Sequence, residues 1–432
     1  MTVLVVGLVM MALMIATRIP LGFILLLCSI GGITATHPRG LSAAVTIAQN
    51  EYLALAMNYQ FSVLPLFLVM GVFVAKAGLA DDLFEAANCW LGRFRGGLGM
   101  ATIASCAGFS SLSHNSAAST SIMGKIALPV LRKHGYEDGF SAGAVAAGGT
   151  LGLMIPPSGA LIIYGLLTET NLDGLFMAAL IPAGLQVLLY IAVIAAIAWF
   201  KPSWLPRGQS FSWQRRFSSL RAVWGVIALF LLIVVGIFFG WFTTTEAGGV
   251  GAGGALAFSI VRRRMTWKIF VDCLKDTAKT TAMIYFVASS AMVMNQFINL
   301  AGVPGDVVAL IQEMNMTPIL VVFTLLLFYL ILGMFLDGFA MIFLTVPVIV
   351  PVILGLGMDP IWWGVITVIV VELALISPPV GMNCFILKAT IPDIPLSSIY
   401  RGILPFFFSD IVRLVFLVLM PGVVLWLPSL IA

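Results

Sequence analysis

Apolar residues gather along this chain into long runs separated by short polar or basic punctuation, and the run lengths predict membrane-spanning helices. Such runs lie at about 2–17, 20–37, 53–76, 139–167, 174–199, 223–241, 245–261, 281–300, 361–388 and 403–427. Two longer apolar stretches, about 97–131 and 317–353, exceed the ~20 residues that one span needs and carry a polar or glycine-flanked tip near the middle. Each predicts a hairpin. Inside the runs at 139–167 and 361–388 stand the double prolines Pro156-Pro157 and Pro378-Pro379, which remove amide donors and break the helix.

The two breaks are 222 positions apart (378 − 156), and the same shift lays Pro129 on Pro351, Gly135 on Gly357 and Gly159 on Gly381 without a gap. Proline is 21 of 432 residues, so three proline matches in so short a window point to a duplicated unit. The predicted first repeat is 1–200, with hairpin 97–131 and broken helix 139–167. A basic linker, 201–222, leads to the second repeat, 223–432, with hairpin 317–353 and broken helix 361–388. Ala77 to Asp82 resembles Ala301 to Asp306 at a shift of 224, in support of the same duplication. Paired, proline-interrupted segments in matching halves point to a secondary transporter and to its binding site.

Composition and charge fix the solvent and the orientation. Hydrophobic residues are 61% of the chain, charged residues 9%, and mean hydropathy is +1.10, so 1–432 reads as a single lipid-embedded domain with about ten spans. Met1 to Thr17 lacks a basic flank and a small-residue cleavage site, and reads as a retained first helix. Lys201, Arg207, Arg215, Arg216 and Arg221, then Arg262-Arg263-Arg264 and Lys268, mark cytoplasmic loops. Arg93, Arg95, Arg132 and Lys133 flank the first hairpin, which is therefore re-entrant from the cytoplasm. Asp306, Glu313 and Asp359 flank the second, with no basic residue, so it enters from the opposite face. With Arg18 and Lys76 inside, both termini fall outside, and each half crosses an odd number of times, so the repeats are inverted. The net charge of +4 arises from these loops and gives no nucleic-acid surface. Five scattered cysteines and three histidines, without a nucleophile–base pair or metal-ligand spacing, argue against an enzyme.

Non-helical backbone at membrane depth must be buried in protein or line a wet cavity. Carbonyls freed at Pro156-Pro157 and Pro378-Pro379 can ligate a hard cation, and half-helix N-termini favour an anion. The first hairpin tip reads Ser113-His114-Asn115-Ser116 within a hydroxyl-rich run that ends at Ser121; Ser113 and Asn115 are candidate ion or substrate contacts. His114 has a side chain that can protonate in the working pH range but reads first as a hydrogen-bonding residue at a polar bend, and residues 119–121 read equally as oxygen ligands or as glue between helices. Asp337 falls at the equivalent place (115 + 222) beside Gly338, and an acid there is functional by default. Glu372 matches Thr150 at the same shift, each about a turn and a half before its prolines; it reads either as a site residue or as a carboxylate hydrogen-bonded within the bundle. Asp410 and Arg413 read as an ion pair on one helix face.

Taken together these stretches resemble the large membrane subunit of a TRAP (tripartite ATP-independent periplasmic) transporter, the DctM-like family. The resemblance rests on Pro65-Leu66-Phe67 with Gly78-Leu79, Gly96-Gly97-Leu98-Gly99, Arg132-Lys133-His134-Gly135-Tyr136, Gly149-Thr150-Leu151-Gly152, Ile155-Pro156-Pro157-Ser158, Ile163-Tyr164-Gly165, Gly333-Met334-Phe335-Leu336-Asp337, and Ser377-Pro378-Pro379-Val380-Gly381 with Asn383. It implies an elevator-type importer in the bacterial inner membrane, with sodium as the coupling ion and without a cofactor. The partners it implies are a small four-helix membrane subunit, a periplasmic substrate-binding protein and a small organic anion, carboxylates first. One sodium or substrate set would be Ser113, His114, Asn115, Ser116, Gly149, Thr150, Pro156, Pro157 and Ser158. The other would be Gly333, Asp337, Gly338, Glu372, Ser377, Pro378, Pro379, Val380 and Asn383, with substrate between the hairpin tips. Relatives usually read Ser-Gly-Ser-Ser where this chain has Ser113-His114-Asn115-Ser116. A stand-alone secondary anion transporter or antiporter of related architecture is the alternative.

Overall fold

The computed structural model describes residues 19–430; the run at 2–17, Arg18 and the N-terminal side they imply lie outside the described residues. The described chain is helical almost throughout. In order the helices are α1 (Leu21–Thr36), α2 (Leu41–Met57), α3 (Val63–Lys76), α4 (Leu79–Leu91), α5 (Gly97–Ser113), α6 (Ser116–Lys133), α7 (Asp138–Met154), α8 (Gly159–Thr168), α9 (Leu172–Phe200), α10 (Trp213–Phe238), α11 (Thr244–Val261) and α12 (Trp267–Leu300). There follow α13 (Val303–Glu313), α14 (Pro318–Gly333), α15 (Gly338–Gly355), α16 (Pro360–Leu375), α17 (Met382–Thr390), α18 (Leu396–Leu419) and α19 (Pro421–Leu425). Among the described residues seven helical stretches are long and apolar enough to cross a membrane, and three shorter apolar helices, α1, α14 and α16, accompany them.

Local chemistry explains where these helices begin. Ser212, Thr266 and Asp359 each accept backbone N–H bonds at an N-cap, and Thr243 with Glu246 forms a reciprocal capping box at the start of α11. Three boundaries differ from the apolar pattern. The run at 53–76 is two helices, because Asn58 accepts the Gln60 N–H and turns the chain through a 3-10 segment before α3. Helix α10 starts at Trp213, inside the basic linker, where Ser212 caps it. Helix α12 runs unbroken through the amphipathic Lys275–Lys279 stretch, so the span read at 281–300 is its second half. The amphipathic helices α4 and α13 have polar faces and produce no span-length apolar run.

The bounds repeat at the 222-residue shift. Moving α6 by 222 gives 338–355, the bounds of α15; moving α7 gives 360–376 beside α16 at 360–375; moving α8 gives 381–390 beside α17 at 382–390. Packing follows the same exchange: α3 packs on α11 as α12 packs on α1, and α6 packs on α17 as α15 packs on α8.

Helices α7 and α16 form the centre. From Gly139 to Met154 and from Trp362 to Leu375 every residue is buried. Small residues allow that density, as is usual for helices that pack in lipid. A Cβ on Gly143 would lie 2.3 Å from the Gly402 carbonyl carbon, and one on Gly402 would lie 1.8 Å from the Gly139 carbonyl oxygen, so α7 and α18 meet backbone to backbone. The outer surface carries exposed Leu188, Trp199, Phe200, Trp224 and Leu231, suited to lipid. All five cysteines are buried and unpaired.

Candidate functional site

Both hairpins turn by one device. Asn115 Oδ1 accepts the Ala118 N–H at 3.0 Å and caps α6; Asp337 Oδ1 accepts the Phe339 and Ala340 N–H groups at 3.0 and 3.1 Å and caps α15. A side-chain oxygen at this place satisfies amides that the start of a helix leaves open. The preceding residue of the first turn, His114, takes the left-handed conformation at φ 52°, which for a non-glycine residue costs about 1–2 kcal/mol. Its ring is buried, lies edge-on to Phe67 at 5.5 Å between centroids, and has no hydrogen bond to either nitrogen.

The two tips converge on the first residue of α8. A Cβ on Gly159 would stand 3.3 Å from the His114 carbonyl oxygen and 3.4 Å from the Phe339 ring. Gly338 wedges the second tip between the broken helices, 3.0 Å from Val371 and 3.3 Å from Leu153 by the same measure. The first tip is clamped harder. A Cβ on Gly149 would fall 1.9 Å from Thr120 Oγ1, one on Gly152 3.1 Å from the Asn115 carbonyl carbon, and one on Gly71 of α3 2.9 Å from the Leu112 carbonyl oxygen. Gly333 holds the first arm of the second hairpin against Ala374, 2.4 Å from a built Cβ.

At the first break, Ile155 to Ser158, the Pro156-Pro157 bond is cis, all four residues are buried, and Ser158 Oγ donates to the Leu153 carbonyl while accepting the Leu161 N–H at 3.2 Å. Ser113 and Ser119 share a hydroxyl bond of 2.8 Å. At the second break the Pro378-Pro379 bond is also cis, Ser377 is buried and donates to the Pro378 carbonyl at 3.3 Å, while Pro379 is exposed. Tyr400 Oη reaches the Pro379 and Val380 carbonyls at 2.5 and 2.7 Å. Asp337 is exposed too and has no ion-pair partner among the described residues. In this conformation the first break is closed and the second open.

Asn383 joins the two predicted sets. Its Nδ2 donates to Ser116 Oγ at 2.9 Å and to the Ala146 carbonyl at 3.1 Å, so it bonds to the first hairpin and α7 and not to Asp337. Thr150 and Glu372 stand apart from the tips in a buried polar cluster. Arg413 hydrogen-bonds Glu372 Oε2 at 3.0 Å and lies 3.3 Å from Asp410 Oδ1 as an ion contact without a hydrogen bond; Tyr190 donates to Asp410 Oδ2; Gln186 Nε2 reaches Tyr190 Oη at 3.2 Å and Thr150 Oγ1 at 3.3 Å. The Asp410–Arg413 pair read from sequence is present and is part of this larger set.

The donors around tips and breaks are hydroxyl, amide and backbone oxygens with one carboxylate, which suits a hard cation better than a transition metal. Among the described residues no three His, Cys, Asp or Glu side chains group as metal ligands. Away from the membrane core, Arg132 bonds Asp138 at 2.7 Å and Asp393 at 2.6 Å, tying the hairpin base and the start of α7 to the loop before α18. The Arg132 hydrogen bond holds the Asp393 carboxyl below its ordinary range. Tyr400, Gln186 and Tyr190 are site neighbours that sequence reasoning missed. Gln186 and Tyr190, polar and four apart within an apolar run, were the available signal; Tyr400 had none.

A multi-pass helical membrane protein with paired broken helices that receive two hairpin tips is a transporter architecture. Over residues 8–423 the chain matches the family described as the tripartite ATP-independent periplasmic transporter, DctM component. It belongs to that family, as a large permease subunit of the bacterial inner membrane. It is 33% identical over 403 residues to the C4-dicarboxylate TRAP transporter large permease protein DctM of Pseudomonas aeruginosa, with 90% of this chain and 93% of that one covered. It is 30% identical to the 2,3-diketo-L-gulonate TRAP transporter large permease protein YiaN of Escherichia coli, covering 86% and 87%, and 28% identical to the sialic acid TRAP transporter large permease protein SiaM of Vibrio cholerae, covering 95% of each. Among solved structures, the YdaH transporter of Alcanivorax borkumensis shares the fold at a TM-score of 0.62 and 15% identity over 89% of each chain. MtrF of Neisseria gonorrhoeae does so at 0.58 and 12%, covering 89% of this chain and 84% of that one.

Proposed function

We propose that this chain is the membrane-embedded transport subunit of a sodium-coupled importer of small organic anions, carboxylates first, working by elevator-type alternating access. The observation that carries this reading is the convergence of both hairpin tips on Gly159, where the first broken helix restarts, beside breaks whose freed carbonyls and half-helix N-termini offer oxygen ligands to cations and amides to an anion. On this reading 1–200 and 223–432 are inverted repeats, the hairpins are re-entrant from opposite faces, and 201–222 is cytoplasmic. Cation ligands come from Ser113, Asn115 and the carbonyls of the first break, and from Asp337 with the carbonyls of Ser377 to Val380 at the second. Relatives are named for C4-dicarboxylate, 2,3-diketo-L-gulonate and sialic acid, which supports an organic acid as substrate.

The proposed partners are a small four-helix membrane subunit and a periplasmic binding protein that delivers the anion. The test is uptake by the reconstituted membrane complex in proteoliposomes, with and without a sodium gradient and with and without the binding protein. Uptake is expected only with both. Robust uptake by this subunit alone would favour the stand-alone transporter, and uptake indifferent to sodium would remove the coupling.

A further inference from the structure

We propose that Arg95 and Arg207 form a binding site for the phosphate of an anionic phospholipid at the membrane surface. The site is independent of the transported substrate and of the coupling ion. An isolated antiparallel bridge sets Arg95, in the loop between α4 and α5, directly opposite Arg207, in the linker between α9 and α10. Residues opposed in this way point to one side of the pair, with Cβ atoms about 5 Å apart, and like charges placed there destabilise it. The linker is not free to slip out of this register. A Cβ on Gly208 would stand 2.4 Å from the Gly92 carbonyl oxygen, Tyr136 Oη donates to the Pro206 carbonyl at 3.0 Å, and the Glu137 N–H donates to the Trp204 carbonyl at 3.2 Å. Uncharged contacts on either side of Arg207 therefore hold two guanidinium side chains next to each other.

No acid of the chain answers them. Among the described residues neither Arg95 nor Arg207 makes an ion pair, and both are exposed. Arg93 lies two residues before Arg95, with its guanidinium over the Phe94 ring at 4.7 Å, and is also without an acid. On the neighbouring elements Glu85 is engaged by Arg215, Glu137 by the Phe140 N–H and Asp138 by Arg132. Depth then says where the missing anion comes from. A Cβ on Gly96, the residue after Arg95, would lie 3.1 Å from Ile194 and 3.4 Å from Ala198, so the pair stands level with the last two turns of α9. The next residues of α9, Trp199 and Phe200, are 83% and 80% exposed, and aromatic side chains at the end of a span mark the headgroup level. One phosphate there accepts hydrogen bonds from both guanidinium groups, whose planar forks suit it, and its acyl chains run along Trp199 and Phe200. The bound lipid turns a repulsive pair into a clasp between the linker and the loop that starts the first hairpin.

Titration of the purified transporter with phosphatidylglycerol in neutral detergent, with bound lipid counted by native mass spectrometry, tests the site. A basic residue beside an anionic lipid is worth about fivefold in binding, so removing two should raise the midpoint for the tightest lipid about 30-fold. That is the expectation for Arg95→Gln with Arg207→Gln, while Lys268→Gln with Lys275→Gln, an equal loss of charge elsewhere, should leave the midpoint in place. In phosphatidylcholine alone the arginine double variant should melt no lower than wild type, because the repulsion is gone. Should it fail to fold, Arg207→Gln alone decides, with an expected rise of about fivefold. An unchanged midpoint in the arginine variant, or an equal rise in the lysine variant, would overturn the proposal, the second by reducing it to general surface charge. Inorganic phosphate that displaces phosphatidylglycerol from wild type at comparable concentration would overturn the lipid assignment in favour of a free anion.

Discussion

Replacing Asp337 by Asn separates its two roles, because the charge goes and the cap stays. Asn already performs the same cap at the related position: Asn115 Oδ1 holds the Ala118 N–H at 3.0 Å, as Asp337 Oδ1 holds Phe339 and Ala340 at 3.0 and 3.1 Å. The fold should therefore lose no more than about 0.5 kcal/mol in Asp337→Asn, against about 1 kcal/mol in Asp337→Ala, where the cap is lost. The electrostatic effect is larger. A unit charge within about 4 Å of a bound cation, as a ligand's is, is worth about 4 kcal/mol at an effective dielectric of about 20 and about 1 kcal/mol in bulk water. The Asp337 carboxylate is exposed, so screening by water and salt trims that towards about 1.4 kcal/mol, a tenfold change in binding. Sodium titration of uptake by the reconstituted complex is the assay, with the melting temperature of each variant as the control for folding. A midpoint about tenfold higher in both Asn and Ala variants, with a lower melting temperature only in Ala, is expected. An unchanged midpoint in Asp337→Asn would refute the electrostatic argument and leave Asp337 as a helix cap alone.

Gly149→Ala should destabilise the fold by about 1–3 kcal/mol, because its Cβ would fall 1.9 Å from Thr120 Oγ1; adding Thr120→Ala should restore most of the loss, and thermal unfolding that shows no rescue would reject this contact. Asn383→Leu removes the donor to Ser116 Oγ and the Ala146 carbonyl, both buried, and should cost about 1–3 kcal/mol; a change in melting that corresponds to less than about 0.5 kcal/mol would count against the bond. Because Arg132 lowers the Asp393 carboxyl, the stability of that junction is fully present above the ordinary Asp value of about 3.9 and is lost as pH falls through the depressed folded value. The acid limb of a melting-temperature profile should be shallower in Asp393→Asn, and an identical limb would show that the pair contributes nothing.

Much of the frame was legible because lipid leaves backbone few choices. Double prolines, the 222-residue shift and the polar tips located both breaks and both turns, and the structure places the breaks at 155–158 and 376–381 and the first turn at His114-Asn115. Boundaries set by single capping side chains were not legible in hydropathy: Ser212 begins α10 inside a basic linker, and Asn58 divides the run at 53–76. Side-chain partners across the fold were less legible still. Nothing in the sequence set Asn383 against Ser116, 267 positions away, or brought Gln186 between Thr150 and Tyr190. Those meetings depend on which helix faces which, and periodicity is silent about that where helices are buried on all sides.

The two halves repeat backbone and not charge, and that difference bears on the order of events in the proposed cycle. At the related turn positions one half has neutral Asn115 and the other ionisable Asp337; before the breaks one has Thr150 and the other Glu372. The first break is sealed, with Ser113, Ser116 and Ser158 buried and paired, so a cation entering there must displace hydrogen bonds already made. The second break presents Asp337 and Pro379 at the surface, with the Pro379 and Val380 carbonyls held by Tyr400, so a cation meets a charge and ordered oxygens at little structural cost. On the proposed function the second break therefore loads first. Neutralising Asp337 then lets an anion approach the tips at Gly159 without meeting an unpaired carboxylate, which would make anion binding depend on the cation by charge alone.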